Sequence, residues 1–257
     1  MLWSAHLSLL FGELPYLDRP QAAADAGFSA VETWWPGDEA AAWAEAVAEL
    51  GLSVTALNAD GGDLGAGERG FLNVPGRREF VLDACRRAVE LAAACGAQRI
   101  NVLAGREVAD ELRQAQLAHA AATLADCADI AAGAGVEIVV EPINALDVPG
   151  YLVPTAADAV ALIRTAGRPN VRLLFDAYHH ARAGGDPVAD AAALVPLIGH
   201  VQYADCPGRG APGTGEVDLA AFTRALADAG YEGAIGLEFD PHGATREALA
   251  RLPEAPA

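Results

Sequence analysis

Two hydrophobic rhythms alternate from one end of the chain to the other. Short runs rich in Val, Ile, Leu and Phe carry the β signature, and longer Ala/Leu-rich stretches carry the helical one. The pattern predicts strands at Trp3–Leu9, Ala30–Trp34, Ser53–Leu57, Arg99–Leu103, Glu137–Glu141, Arg172–Asp176, His200–Tyr203 and Ala234–Phe239. It predicts helices at Asp38–Leu50, Arg78–Cys95, Glu111–Ala132, Ala156–Ala166 and Leu219–Ala229, with Gly51, Gly96, Gly133, Gly167 and Gly230 as their stops. Strand then helix, repeating about every 30 residues, is the signature of parallel βαβ units. Eight such units in 257 residues predict one α/β domain over residues 1–257, a single (β/α)8 TIM barrel, a fold that takes roughly 250 residues. An open doubly wound sheet is the competitor, and it would place a Gly-rich nucleotide turn after the first strand, where this chain has none. The Ala/Pro/Glu-rich tail after Arg251 is expected to fray.

Two connections exceed what the architecture needs. Asn58–Gly76 follows the third strand and contains G-A-G-E-R-G; Asp205–Val217 follows the seventh and reads D-C-P-G-R-G-A-P-G-T-G-E-V. Both leave the carboxyl ends of strands, the face on which barrel active sites are built, and both are expected to clamp or cover a ligand.

Composition narrows the chemistry. The formal charge is −18, with 35 acidic residues against 17 basic ones, which opposes a nucleic-acid partner. All 17 basic residues are arginine. The absence of lysine removes Schiff-base aldolase chemistry, pyridoxal phosphate and a Walker-type phosphate loop together. No apolar run approaches the length of a membrane span, and Met1–His6 lacks the charge-then-apolar pattern of a secretory leader. Four scattered cysteines, Cys85, Cys95, Cys127 and Cys206, form no C-x-x-C pair and suit a reducing compartment, so a cytoplasmic location is expected.

The candidate chemistry lies at the ends of the last four strands. Glu141 ends V-E-I-V-V-E, Asp176 ends V-R-L-L-F-D, Gln202 sits in H-V-Q-Y-A-D and Glu238 in I-G-L-E-F-D. Each follows apolar residues, so each must be neutralised or hydrogen-bonded once buried. Neighbouring strands lie about 4.8 Å apart, which lets four side chains at one level converge. Three carboxylates and one amide oxygen suit a divalent cation such as Mg2+ or Mn2+ better than zinc. His179, three residues past Asp176, is expected in the loop after the sixth strand, within reach of substrate oxygens. Arg209, in the long loop after the seventh strand, is the natural partner for a substrate carboxylate, which its planar guanidinium fork can grip, and Arg69 in the loop after the third strand is a second candidate.

The segments A-H-L-S-L-L-F-G-E, G-A-G-E-R-G, N-V-P-G-R, E-P-I-N-A-L-D-V-P-G-Y, F-D-A-Y-H-H and H-V-Q-Y-A-D-C-P-G-R-G-A-P-G-T-G-E-V-D, with I-G-L-E-F-D, resemble the hydroxypyruvate isomerase family of xylose-isomerase-like barrels. The resemblance runs from about Ser4 to Asp240. It implies that Glu141, Asp176, Gln202 and Glu238 hold the metal and that Glu141 and Glu238 also move the proton. The implied reaction interconverts hydroxypyruvate and tartronate semialdehyde. A 2-oxo-tetronate isomerase or a ketose 3-epimerase could use the same site, so the partner is a hydroxy-oxo acid or a small sugar; a non-catalytic metabolite-binding barrel is the remaining alternative. A homo-oligomer is compatible with the sequence. Two departures bear on substrate: His180-Ala181 stands where the family has Met-Gln, and V-E-T-W-W-P-G-D replaces a Phe-rich stretch, where Trp34 and Trp35 are expected to narrow or reshape the pocket.

Overall fold

A computed structural model of the protein, described here for residues 1–252, closes eight parallel strands into a barrel in sequence order. The strands are β1 (Leu2–His6), β2 (Ala30–Thr33), β3 (Ser53–Asn58), β4 (Arg99–Asn101), β5 (Glu137–Val140), β6 (Val171–Asp176), β7 (Ile198–Tyr203) and β8 (Ala234–Leu237). The helices are α1 (Arg19–Asp25), α2 (Ala40–Glu49), α3 (Arg78–Cys95), α4 (Arg113–Ala132), α5 (Ala156–Ala166), α6 (Ala177–Arg182), α7 (Pro187–Leu194), α8 (Leu219–Asp228) and α9 (Thr245–Leu249). The TIM-barrel expectation holds.

Several boundaries move, each for a local reason. The first strand ends at His6 rather than Leu9, because the His6 carbonyl accepts from both Leu9 and Leu10 and turns the chain. Helix α2 begins at Ala40 after a 3-10 turn over Gly37–Glu39, and α4 begins at Arg113. The pattern missed α1, α6, α7 and α9, which are at most eight residues long and too short to show a clear period. Gly133 has φ −63 and is no left-handed stop; the reversal falls at Gly135, φ 69. The frayed-tail expectation falls largely on residues 253–257, outside the described residues.

The apolar core surrounds the barrel, while the carboxyl-side interior is polar. Trp43, Leu124, Cys127 and Phe222 are fully buried in one continuous apolar cluster with Val31, Leu57 and Val201 of the strands. Alternation along β2 and β7 turns Glu32, His200 and Gln202 to the other side, where they contact one another. Burying that many polar groups is tolerable only if they pair, and their pairing defines the site.

Candidate active site

The strand ends carry the predicted residues to one place. Asp176 and Gln202 are direct register partners on β6 and β7, and Gln202 pairs with Gly236 on β8, two residues before Glu238. Glu141 follows immediately after β5. All four are at least 94% buried, the least so Glu141 with 6% of its surface exposed. Glu141 and Glu238 line a cavity of about 380 Å3 together with Trp34, Arg69, His179 and Arg209.

Each side chain is held by one end and open at the other. Asp176 caps the short helix α6, its Oδ1 accepting from the backbone N–H of Tyr178 at 2.7 Å and of His179 at 3.4 Å. Asn101, at the end of β4, donates to Glu141 Oε2 at 2.8 Å. Gln202 donates its amide nitrogen to Glu32 Oε1 at 2.8 Å. Glu238 Oε1 accepts from the indole of Trp34 at 2.9 Å and faces Arg209 Nη2 at 3.2 Å and His6 Nε2 at 3.6 Å. Left over are Asp176 Oδ2, Gln202 Oε1 and Glu238 Oε2, all buried and all without a hydrogen-bond partner among the described residues. Unpaired buried oxygens are costly. They come from three adjacent strands, and oxygen donors of this kind suit a hard divalent cation.

His179 belongs to α6 and not to a loop. Its ligating nitrogen lies within 4.8 Å of carboxylate oxygens of Glu141 and Asp176, which alone would make it a metal-ligand candidate. The Asn144 network argues for a different role. Asn144 Oδ1 accepts from the N–H of Leu146 and of Asp147, which fixes its NH2 end on Asp147 Oδ2 and on His179 Nδ1 at 2.7 Å. Nδ1 therefore accepts and Nε2 carries the proton, pointing at Glu141 Oε1 at 3.6 Å. Burial, helped by Arg209, pushes the imidazole pKa down to about 3, so it is a neutral donor.

The two glutamates sit in opposite electrostatic settings. Burial, reinforced by Glu238 and Asp176, raises the Glu141 carboxyl well above the usual range. Burial also works to raise Glu238, but Arg209, His6 and His179 outweigh it and hold it below. Asp176 is pushed up to about 7 by burial and by Glu238. Burial opposes the charge on Arg209, yet the carboxylates of Glu238, Asp176 and Glu141 more than compensate and keep it cationic. Arg69 differs: its Nη1 donates to the carbonyls of Leu64 and Glu68, and it forms no ion pair with a carboxylate among the described residues. Burial and the nearby Arg106 and Arg209 lower its pKa, the signature of a cation lacking an anion.

Of the unusual positions, only Trp34 lines the cavity. Trp35 lies away from it, its ring under the guanidinium of Arg87 at 5.1 Å. His180 turns outward to Asp190 at 2.7 Å and packs on Phe175. The expectation that Trp35 reshapes the pocket is corrected accordingly. The sequence reading missed Glu32, Asn101, Asn144 and His200; the two-residue spacing of His200 and Gln202 on one strand was the available signal for His200.

The model of the xylose isomerase-like TIM barrel family matches residues 20–255. A 2-oxo-tetronate isomerase of Cupriavidus necator is 37% identical over 251 residues, 97% of this chain and 96% of that protein. Hydroxypyruvate isomerase of Escherichia coli is 34% identical, covering 96% of each chain. A solved structure described as AP endonuclease, family 2, from Brucella melitensis superposes with a TM-score of 0.92 at 32% identity, over 97% of this chain and 96% of that one.

Proposed function

We propose, for a chain that belongs to the xylose isomerase-like TIM barrel family and is an isomerase, a metal-dependent 1,2-proton shift that interconverts hydroxypyruvate and tartronate semialdehyde. The observation that carries this reading is that Glu141 and Glu238 line one cavity, with the buried oxygens Asp176 Oδ2, Gln202 Oε1 and Glu238 Oε2 left unpaired among the described residues.

Glu141, Asp176, Gln202 and Glu238 would hold the cation, Mg2+ or Mn2+. Bound there, it supplies positive charge beside the carbonyl and hydroxyl oxygens of the substrate, where negative charge develops in the reaction. The protein's own groups do the rest. Glu238, with Oε1 held by Trp34 and Arg209, takes a proton from the hydroxyl-bearing C3. The electron pair of that C–H bond becomes the C2–C3 double bond of an enediolate, and the charge moves to O2. The proton on O3 passes to O2, the C3 carbonyl forms, and Glu141 delivers a proton to C2. The two carboxyl groups end with exchanged protonation states and reset through solvent. His179 Nε2–H steadies a substrate oxygen, and Arg69 takes the carboxylate.

Arg69 supports an acid over a neutral ketose as substrate, because a neutral sugar would leave that cation unmatched. A four-carbon 2-oxo acid presents the same carboxylate and is the second reading, supported by the Cupriavidus necator relative. A net charge of −18 opposes a phosphodiester substrate.

The test is incubation with Mg2+ or Mn2+ and hydroxypyruvate in D2O, followed by NMR, beside a chelated control. Metal-dependent formation of tartronate semialdehyde with deuterium on the carbon next to the carbonyl is the expected result. Absence of exchange on hydroxypyruvate and on 2-oxo-tetronates in folded, metal-loaded protein would overturn the proposal.

A further inference from the structure

Below the strand ends lies a second polar cluster that the proposed chemistry does not use. Glu32 of β2 is 1% exposed and its carboxylate collects three donors from two other strands, β3 and β7. His200 Nε2 lies 2.5 Å from Oε2, Thr55 Oγ1 lies 3.2 Å from the same oxygen, and Gln202 Nε2 lies 2.8 Å from Oε1. Ser4 Oγ extends the chain to Thr55 at 2.7 Å. The barrel makes room for this carboxylate. A Cβ added at Gly236 of β8 would sit 2.0 Å from Glu32 Oε1 and 2.4 Å from its carboxyl carbon, so the glycine of I-G-L-E-F-D is the space that Glu32 fills. The strand register shifts between Val31 and Glu32, where β3 contributes Thr55 as an extra residue, and again beside His200, where β7 contributes Gly199.

We propose that Glu32 is a positioning residue for the cation site, its carboxylate dictating which end of the Gln202 amide faces the cation. The proposal rests on Gln202 being a cation ligand. A primary amide offers a donor end and an acceptor end that differ little in shape, and only the oxygen can ligate a cation. A carboxylate accepts hydrogen bonds and cannot donate them when ionised. Placed 2.8 Å from Gln202, Glu32 therefore claims the NH2 end; the flipped amide would set oxygen against oxygen at that distance. The consequence is visible at the other end, where Gln202 Oε1 is buried without a partner among the described residues. Gln202 is register partner to Asp176, whose Oδ2 is likewise unpartnered. His200 and Thr55 in turn hold the other oxygen of Glu32, so the carboxylate cannot rotate away without leaving donors unmet. Outer hydrogen-bond partners of this kind fix the orientation of a ligand and are worth about 10- to 100-fold in metal affinity.

The experiment measures Mn2+ binding by the EPR signal of free Mn2+, on the full chain freed of metal. Glu32→Gln keeps the size of the side chain and lets either amide orientation form at Gln202. It is expected to weaken Mn2+ binding by about tenfold or more while cooperative thermal unfolding of the metal-free protein persists. In a Gln202→Ala background the same substitution should change the affinity by less than about twofold, since Glu32 then has no ligand to orient. Wild-type affinity in Glu32→Gln, or an equal loss in the Gln202→Ala background, would overturn the proposal. A wild-type protein that binds no Mn2+ would overturn the cation-site reading and this inference with it, and is recognised because no variant is needed to see it. If Glu32→Gln fails to fold, the Gln202 side-chain NH2 resonances of the wild-type protein decide. Protons slow to exchange and shifted downfield, unchanged when Mg2+ is added, are expected. A freely exchanging pair would overturn the inference.

Discussion

The indole of Trp34 donates its Nε1–H to Oε1 of Glu238 at 2.9 Å, joining the end of the second strand to the carboxylate after the eighth. The ring also meets His6 edge-on, with centroids 5.5 Å apart, so its orientation is fixed from two sides. One oxygen of Glu238 is thus occupied and the other, Oε2, is left without a partner among the described residues. Trp34→Phe keeps an aromatic ring and removes the donor. A hydrogen bond to a charged acceptor is worth about 1.5–3 kcal/mol. The expected result is a fall in kcat of about tenfold or more with a smaller change in KM, read from steady-state kinetics.

Glu238→Gln removes the proton acceptor while keeping the shape of the side chain and a polar partner for Trp34. Turnover should fall by at least about a thousandfold, and the thermal unfolding midpoint should stay close to that of wild type. Solvent deuterium incorporation into substrate should disappear with turnover. Wild-type activity in this variant would reject Glu238 as a proton-transfer group.

The sequence makes Arg209 the first candidate for the substrate carboxylate and Arg69 the second, and their surroundings reverse that order. Arg209 is committed to Glu238 at 3.2 Å, whereas among the described residues Arg69 makes hydrogen bonds only to backbone carbonyls. Arg69→Ala should raise KM for an acid substrate by about 10- to 100-fold, the worth of a charge-assisted bidentate contact. Slow turnover of a neutral ketose, if measurable, should be unaffected. A KM effect of equal size on both substrates would assign Arg69 to the loop and not to the carboxylate.

The barrel and its four strand-end residues were legible because both rest on local patterns. Strand runs such as V-E-I-V-V-E end in a polar residue, and eight repeats of strand and helix leave few topologies. What escaped was everything that depends on which residues meet across the barrel. Glu32 reads locally as a polar residue in V-E-T, and only ring closure brings it to Gln202, 170 positions away. Asn144 looks like a turn residue in E-P-I-N-A-L-D, and it does form a turn; its second task, setting the His179 tautomer, requires the α6 helix, which is too short to show a period in the sequence. The tandem tryptophans divide for a related reason. They are adjacent in sequence, yet only Trp34 lines the cavity, while Trp35 lies beneath Arg87.

The loop that carries Arg209 is organised by one buried carboxylate. Asp205 is 1% exposed and accepts from the N–H of Cys206 at 2.9 Å and Val217 at 3.0 Å through Oδ1, and of Gly215 at 2.8 Å through Oδ2. Asp205→Ala leaves three backbone donors unmatched, at a cost of about 1–3 kcal/mol for each that water cannot reach. Limited proteolysis should then cut within 205–217 faster than in wild type, and kcat should fall as Arg209 loses its fixed approach to Glu238. Unchanged proteolysis and kinetics would show that the loop is held by other contacts.

The stability of the metal-free protein should fall with rising pH across the range where Asp176 titrates. Its folded pKa is about 7, raised by burial and by Glu238 from an ordinary value of 3.8. Between those values the native state holds a proton that the unfolded chain has released. The contribution of this group is thus fully present below the ordinary value and is lost as pH rises through about 7. The slope can reach about 1.4 kcal/mol per pH unit for one proton. Other carboxylates titrate in the same range, so the diagnostic quantity is the difference between wild type and Asp176→Asn, which lacks this proton. In denaturant melts of metal-free protein from pH 5 to pH 8, the wild type should lose stability more steeply than the variant. Saturating Mg2+ or Mn2+ should act in the opposite sense, because the cation competes with the proton and binds better as pH rises. Metal-induced stabilisation should therefore be larger at pH 8 than at pH 5 in the wild type and weak at both in Asp176→Asn. Parallel pH profiles for the two proteins would remove Asp176 from the proton-linked set, and equal metal stabilisation would remove it from the ligand set.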